Sequence, residues 1–385
     1  MFRGVKKLPV KIKNEDYIEI LKLSNNISMK LGKLDSALKS SVISKNLIQL
    51  VAYNESVQST KIEGTQVTFH EILEVRDNKK VNAQQQEVLN YKLAIDYGCD
   101  EIIKNKRPIT TSLIKELHSI LMDNARGTKA NKGNFRKIQN FIGKDKNIEN
   151  AVYIPVSANE IDEYMTNLEY FINGENHISL NTEICDEGYS FINYDDIPLL
   201  KMAICHAQFE SIHPFLDGNG RLGRILIVLM ALYYGIVSEP LFFVSEELEK
   251  EKIKYYNLLN STRGNNPQWY GWIEFFLQAS DKMIDGLLEK IDKADELFNN
   301  LQSLCITDSQ KRVLFSTFLD PITTVKELSS LTKLHQTTVR NIKGSFFIGQ
   351  ASGRYNSSCS PKDISDATGK VRGLCQEEPT KEGKK

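Results

Sequence analysis

The 385-residue sequence predicts a mainly α-helical protein that carries one β-hairpin. Three observations lead there. Apolar residues recur at three- and four-residue spacing through most of the first 300 residues, the period of helices with one buried face. The pattern breaks once, near 126–160, where two β-prone pieces, KIQNFI and AVYIPV, flank a polar turn. After about Leu304 a second set of short helical segments follows Pro321 in the outline of a helix-turn-helix, winged-helix-like in spacing.

Taken in order, residues 1–15 are basic and irregular, an arm expected to lie over the surface. Asp16 to about Ser40 has helical spacing, and a second helix covers roughly Ser44 to Lys61. That helix ends on Ser59-Thr60-Lys61-Ile62-Glu63-Gly64, where Ser59 and Glu63 share a face and Gly64 suits the cap. A glutamate there meets the negative end of the helix dipole and calls for a cationic partner; a solvated glutamate beside a glycine cap is the plain alternative. Helices continue over 70–125, with His118 on an apolar face, read as a core or capping histidine. The segment 161–173 is an amphipathic helix, and 174–196 is a polar, acidic insertion. Two strongly apolar helices then flank residues 213–224. Further helices follow, one with Tyr255 and Tyr256, and a long one closes the region near 300. In the C-terminal unit, His335, Gln336, Thr337, Arg340 and Lys343 form the expected exposed face of a recognition helix, and the tail after 345 reads as disordered.

The chemistry concentrates in His213-Pro-Phe-Leu-Asp-Gly-Asn-Gly-Arg-Leu-Gly-Arg224. Pro214 ends the helix before it. Gly218, Asn219 and Gly220 favour a tight turn that opens the next helix at about Arg221. A glycine-rich turn at a helix start presents free N–H groups and partial positive charge, a site for phosphate. Arg221 and Arg224 add charge one turn apart, Asp217 offers an oxygen to a metal ion, and His213 is a candidate general base. A simple glycine-asparagine turn is the bland reading of the same residues. The segment has neither the GKS/GKT of a P-loop nor the preceding strand of a dinucleotide fingerprint. His206, Glu210 and His213 form HxxxExxH rather than HExxH, and Pro214 breaks the helix there, which disfavours a zinc site.

Composition bounds the rest. With 49 basic and 49 acidic residues, the chain has no net charge drawing it to nucleic acid or membrane. Six cysteines without a CxxC pair read as reduced thiols. No apolar h-region opens the sequence, and the run from Ile225 to Val237 is too short to span a bilayer. A cytoplasmic location is the default expectation.

Residues 213–224 match HPFx(D/E)GNGRxxR at every fixed position, so the sequence resembles the Fic family. The Ser59–Gly64 stretch resembles that family's inhibitory motif (S/T)xxxE(G/N), placed upstream of the core as in its class II members. The resemblance implies a Fic-fold helical bundle, 106–300, with a flap hairpin at about 135–156. Before it lies an N-terminal region, 1–105, with the inhibitory helix; after it come a module at 301–345 and a tail at 346–385. It further implies AMP transfer from ATP with Mg²⁺ to a hydroxyl of a target protein, or of the chain itself. His213 is then the base and Asp217 the metal ligand, and Gly218, Asn219, Gly220, Arg221, Leu222, Gly223 and Arg224 hold the phosphates. Tyr255 and Tyr256 would hold adenine and ribose, while Val152, Tyr153, Ile154 and Pro155 would clamp the target's backbone. Glu63 would pair with Arg224 where the γ-phosphate belongs. AMP removal, another phosphoryl transfer, a nucleotide-sensing DNA-binding regulator, a DNA or protein partner for the C-terminal module, and a homodimer are left open.

Overall fold

A computed structural model describes residues 2–41, 44–75, 81–123, 131–143, 147–180, 188–189, 193–319 and 323–351. Its helices are α1 (Asn14–Ser40), α2 (Ser44–Ile62), α3 (Phe69–Glu74), α4 (Ala83–Ile103), α5 (Thr111–Leu121), α6 (Ile161–Asn173), α7 (Pro198–Ile212), α8 (Asn219–Tyr233), α9 (Ser245–Lys250), α10 (Lys252–Ser261), α11 (Trp269–Ser303), α12 (Asp308–Leu319), α13 (Val325–Thr332) and α14 (Gln336–Ala351). Three strands, β1 (Phe2–Arg3), β2 (Ile142–Gly143) and β3 (Ala151–Ile154), and four three-residue 3-10 turns complete the described elements. The mainly helical expectation holds. The chain divides into two compact units, residues 1–35 with 52–285, and residues 36–51 with 286–385.

In the first unit α7 and α8 form the centre. Fourteen of fifteen residues in α7 are buried, because both ends and every face of this helix meet protein. Pro198 supplies the first-turn proline that a helix start tolerates. Ile225 to Leu232 of α8 are buried in an unbroken run, so the apolar stretch is a core helix packed on α4, α5 and α7. Among the described residues no helix is long and apolar enough to cross a membrane.

The hairpin is present but short. β2 and β3 pair antiparallel with an irregularity at Ile142–Gly143. The N-terminal arm is anchored where it lies. β1 adds parallel to the other edge of β3, and Val5, Leu8 and Ile12 are buried. Asn167 of α6 locks the arm by accepting from Leu8 N at 2.9 Å and donating to Leu8 O at 3.0 Å. Their pairing partners lie some 150 residues away, a relation that no local pattern encodes.

In the second unit α12, α13 and α14 enclose Val313, Leu328, Val339 and Ile342. Thr324 and Glu327 form a capping box that starts α13. The last helix continues to Ala351, beyond the Gly344 at which the sequence suggested an end. The remainder of the expected disordered tail, 352–385, lies outside the described residues, as would a wing in that stretch.

Candidate functional site

The segment 213–224 folds as the turn between α7 and α8. His213 takes a left-handed conformation (φ 50°, ψ 59°) that closes α7, and Pro214 prevents continuation. Gly218 (φ 80°) is also left-handed and caps α8, which starts at Asn219, two residues before the expected Arg221. The first intrahelical bond runs from Leu222 N to Gly218 O, so the N–H groups of Asn219, Gly220 and Arg221 have no acceptor within the helix. The Gly218 N–H is taken by Asp217 Oδ1 at 2.6 Å.

Asn219 is buried and holds the loop rather than facing out. Its Oδ1 accepts from Phe215 N and its Nδ2 donates to Phe215 O, both at 2.9 Å. Leu222 is fully buried in the core. Gly223 lies against Glu210 and His206, and a Cβ there would sit 2.5 Å from Glu210 Oε1. Only glycine lets these buried side chains touch the helix backbone at this point.

The two arginines diverge. Arg221 turns to Asp217 Oδ1 (3.3 Å) and Glu87 Oε2 (3.6 Å). Arg224, 1% exposed, turns to the end of α2. Its Nε donates to Ser59 Oγ at 2.7 Å, and its Nη2 donates to Ser59 O at 3.0 Å and to Glu63 Oε1 at 2.6 Å. Burial alone would raise the Glu63 pKa, yet the Arg224 charge and hydrogen bond outweigh it and hold the carboxyl below its usual range. Glu63 Oε1 also lies 2.3 Å from where a Cβ on Gly220 would stand, which puts the carboxylate against the first turn of α8. Arg224 Nη1 and the Arg221 Nε and Nη1 are buried with no hydrogen-bond partner. An ordered water or an anion would satisfy donors in that state.

His213 is half-buried. Its Nδ1 donates to Glu210 O at 3.3 Å, so the neutral ring keeps an Nε2 lone pair for a proton. Burial, and then the charge of Arg263, push its pKa down to about 4. Glu210, one turn earlier on α7, is a buried carboxyl whose Oε1 has no partner and whose pKa burial raises to about 7. His206 spends both nitrogens within the protein, donating from Nδ1 to Gly223 O (3.1 Å) and accepting at Nε2 from the Tyr255 hydroxyl (2.9 Å).

That bond removes Tyr255 from the site surface. It is fully buried, whereas Tyr256 is 38% exposed and lies beside the end of α2. The expected target clamp also differs. Tyr153 is fully buried, donates to Ser211 O at 2.6 Å and stacks under Arg263. Among the described residues β3 is paired on both edges at Tyr153, by β1 and β2, and on one edge at Ile154, by β1. The open edge on the hairpin side belongs to β2.

Two supports were not singled out in the sequence, and a third, His118, was read only as a core or capping histidine. Arg136, 2% exposed, donates from Nε to His213 O at 2.9 Å, and its N–H bonds Pro214 O at 2.9 Å. Glu55, on the same α2 row as Ser59 and Glu63, accepts from Tyr91 (2.9 Å) and Ser245 N (3.1 Å). His118 contacts the motif loop directly. The spacing Glu55-Ser59-Glu63 was a readable signal for one of them; backbone acceptors leave none for the others.

Comparisons with known proteins agree with this geometry. The Fic/DOC family profile matches residues 108–231, and the Fic/DOC N-terminal profile matches 21–100. A profile described as the second domain of a PilY1 homolog matches 307–384. The protein adenylyltransferase Fic of Drosophila virilis is 26% identical over 235 residues, 59% of this chain and 41% of that protein. Its counterpart in Drosophila ananassae is 26% identical over 243 residues, 61% of this chain and 41% of that one. The chain thus spans about 41% of the length of these curated relatives. A solved Fic family protein from Desulfovibrio desulfuricans aligns over 83% of this chain and 86% of its own, with a TM-score of 0.53 and 20% identity. A Fic domain containing signaling protein from Bacteroides thetaiotaomicron covers 70% of this chain and 97% of its own, at TM-score 0.52 and 19% identity. With its HPFLDGNGRLGR turn, its helical core and two profile matches that together span more than half its length, the chain belongs to the Fic/DOC family.

Proposed function

We propose that the protein is an adenylyltransferase that moves AMP from ATP to a Ser, Thr or Tyr hydroxyl of a protein, and that Glu63 holds it inactive. The observation that carries this reading is the buried Arg224, bound to Glu63 and Ser59 beside a helix start whose first N–H groups have no acceptor within the helix. The N–H groups of Asn219 to Arg221, and Arg224 Nη1, which has no hydrogen-bond partner, are suited to the triphosphate. Once Glu63 withdraws, Arg224 is free for the γ-phosphate. His213 takes the proton of the attacking hydroxyl at Nε2 while Glu210 O holds the opposite nitrogen. The hydroxyl oxygen then bonds the α-phosphorus as the bond to the β-phosphate oxygen breaks, releasing pyrophosphate. Most of the rate comes from positioning and charge stabilisation.

Asp217 is half-exposed at the nest, which fits a Mg²⁺ ion arriving with the nucleotide. Among the described residues no three acidic, histidine or cysteine groups gather to hold a metal, so phosphate and water would supply the other ligands. Bound there, the ion neutralises phosphate charge. Calorimetry tests the pocket: Glu63→Gly should bind ATP, and adding Arg224→Ala should weaken it at least ~10-fold, the loss of a charged hydrogen bond. Equal ATP affinity in both variants would overturn the assignment of Arg224.

We further propose duplex DNA as partner of the α12–α14 module. What favours it is α14, whose first turns expose Gln336, Thr337, Thr338, Arg340 and Asn341 while Val339 and Ile342 face the core. No acidic residue occurs from Leu328 to Ala351. Lys343 leaves the expected face, since its Nζ turns back to Thr323 O at 3.4 Å. Neutralising Lys333 and Arg340 should weaken DNA binding and flatten its salt dependence, by about one unit of slope for each phosphate that is no longer paired. Absence of any duplex shift at low salt would end this reading.

A further inference from the structure

We propose that His118 is a positioning residue of the nest: both its ring nitrogens are committed, and the bond from Nε2 to the Asp217 carbonyl sets the direction of the Asp217–Arg221 backbone. The consequence for nucleotide binding rests on the adenylyl-transfer reading; the clamp itself rests on geometry.

His118 is 3% exposed in the last turns of α5. Its Nδ1 accepts from Gly133 N at 3.0 Å, and its Nε2 lies 3.1 Å from Asp217 O. A backbone N–H only donates and a carbonyl only accepts, so the neutral ring carrying its proton on Nε2 is the one state that satisfies both. Burial, with the ring 3% exposed, favours that neutral state.

The ring also forms part of a floor. It stacks on Phe215 with centroids 3.7 Å apart and planes 9° from parallel. Met122, four residues on, shares its helix face. A Cβ on Gly218 would meet Met122 Sδ at 2.9 Å and His118 Nε2 at 3.6 Å, and Gly218 already holds φ +80°. The left-handed turn that aims the nest is therefore pressed against α5. The loop 131–136 supports the same segment twice: Gly133 N through His118 to Asp217, and Arg136 directly to His213 O. A histidine retained only for packing would need neither bond.

The two conservative amides separate the bonds. A glutamine amide reaches the Nε2 position and keeps the donor to Asp217. An asparagine amide reaches the Nδ1 position and keeps the acceptor for Gly133. In Glu63→Gly, adding His118→Gln should leave ATP affinity within about threefold, whereas His118→Asn should lower it roughly tenfold, one lost hydrogen bond, with thermal stability lowered alike in the two variants because both lose the ring stacked on Phe215. Nitrogen-15 spectra of the ring in the Glu63→Gly protein should show the Nε2–H tautomer at neutral pH. Equal ATP affinity for the two amides, or a ring protonated on Nδ1, would overturn the proposal. Should the Glu63→Gly parent bind no ATP, the adenylyl-transfer reading falls, and the ring spectrum alone still decides the clamp.

Discussion

His213→Ala should lower AMP transfer by about 10²–10⁴-fold, the usual worth of a positioned general base, while ATP affinity and fold persist. The backbone accounts for that separation. His213 is a left-handed helix cap whose carbonyl, not its ring, anchors Arg136, so alanine keeps the acceptor. Left-handed geometry disfavours alanine only modestly, and the neighbouring Pro214 and Asn219 bonds hold the turn. The pH profile carries a second mark. With its pKa depressed to about 4, the ring is already unprotonated across neutral pH. In the Glu63→Gly protein, activity should therefore show no acid limb near the ordinary histidine pKa of about 6.5 and fall only as pH drops toward 4. Undiminished transfer by His213→Ala would remove His213 from its role.

Glu63→Gly should raise AMP transfer by at least ~10-fold. Two effects act together. Glu63 ties up Arg224, and its carboxylate occupies the first turn of α8 where ATP must place its own negative charge. Two unit charges about 4 Å apart near a protein surface repel by about 4 kcal/mol, which sets a ceiling of about 10³-fold on the relief. Because Arg224 keeps the Glu63 pKa below its usual range, inhibition should persist through mildly acidic pH. Ser59→Ala removes one bond to Arg224 Nε but leaves the carboxylate in place, so its release should be much weaker. Initial rates across a range of ATP concentrations would check this ordering; release by Ser59→Ala matching that by Glu63→Gly would contradict it.

The contiguous turn 213–224 was legible because a proline, glycines and two apolar helices dictate its local geometry without reference to distant residues. The α2 row ending at Glu63 was legible by its four-residue spacing. That Arg224 is the cation came only from the resemblance, since the two lie 161 positions apart in the chain. The burial of Tyr255 was not legible because it involves His206, a partner in another helix. The pairing of Tyr153 and Ile154 with β1 was not legible because β1 arrives from the opposite end of the sequence. Arg136 and His118 could not be found as supports, because their acceptors are backbone carbonyls that every residue possesses.

The most direct test of the Glu63-restrained adenylyl transfer is to incubate wild type, Glu63→Gly and Glu63→Gly/Arg224→Ala with ATP labelled at either the α- or the γ-phosphate, then separate protein from nucleotide. The α-label should enter protein strongly in Glu63→Gly, weakly in wild type and not in the double variant, and the γ-label should enter none of them. Incorporation of the γ-label, or equal α-labelling of wild type and Glu63→Gly, would contradict it.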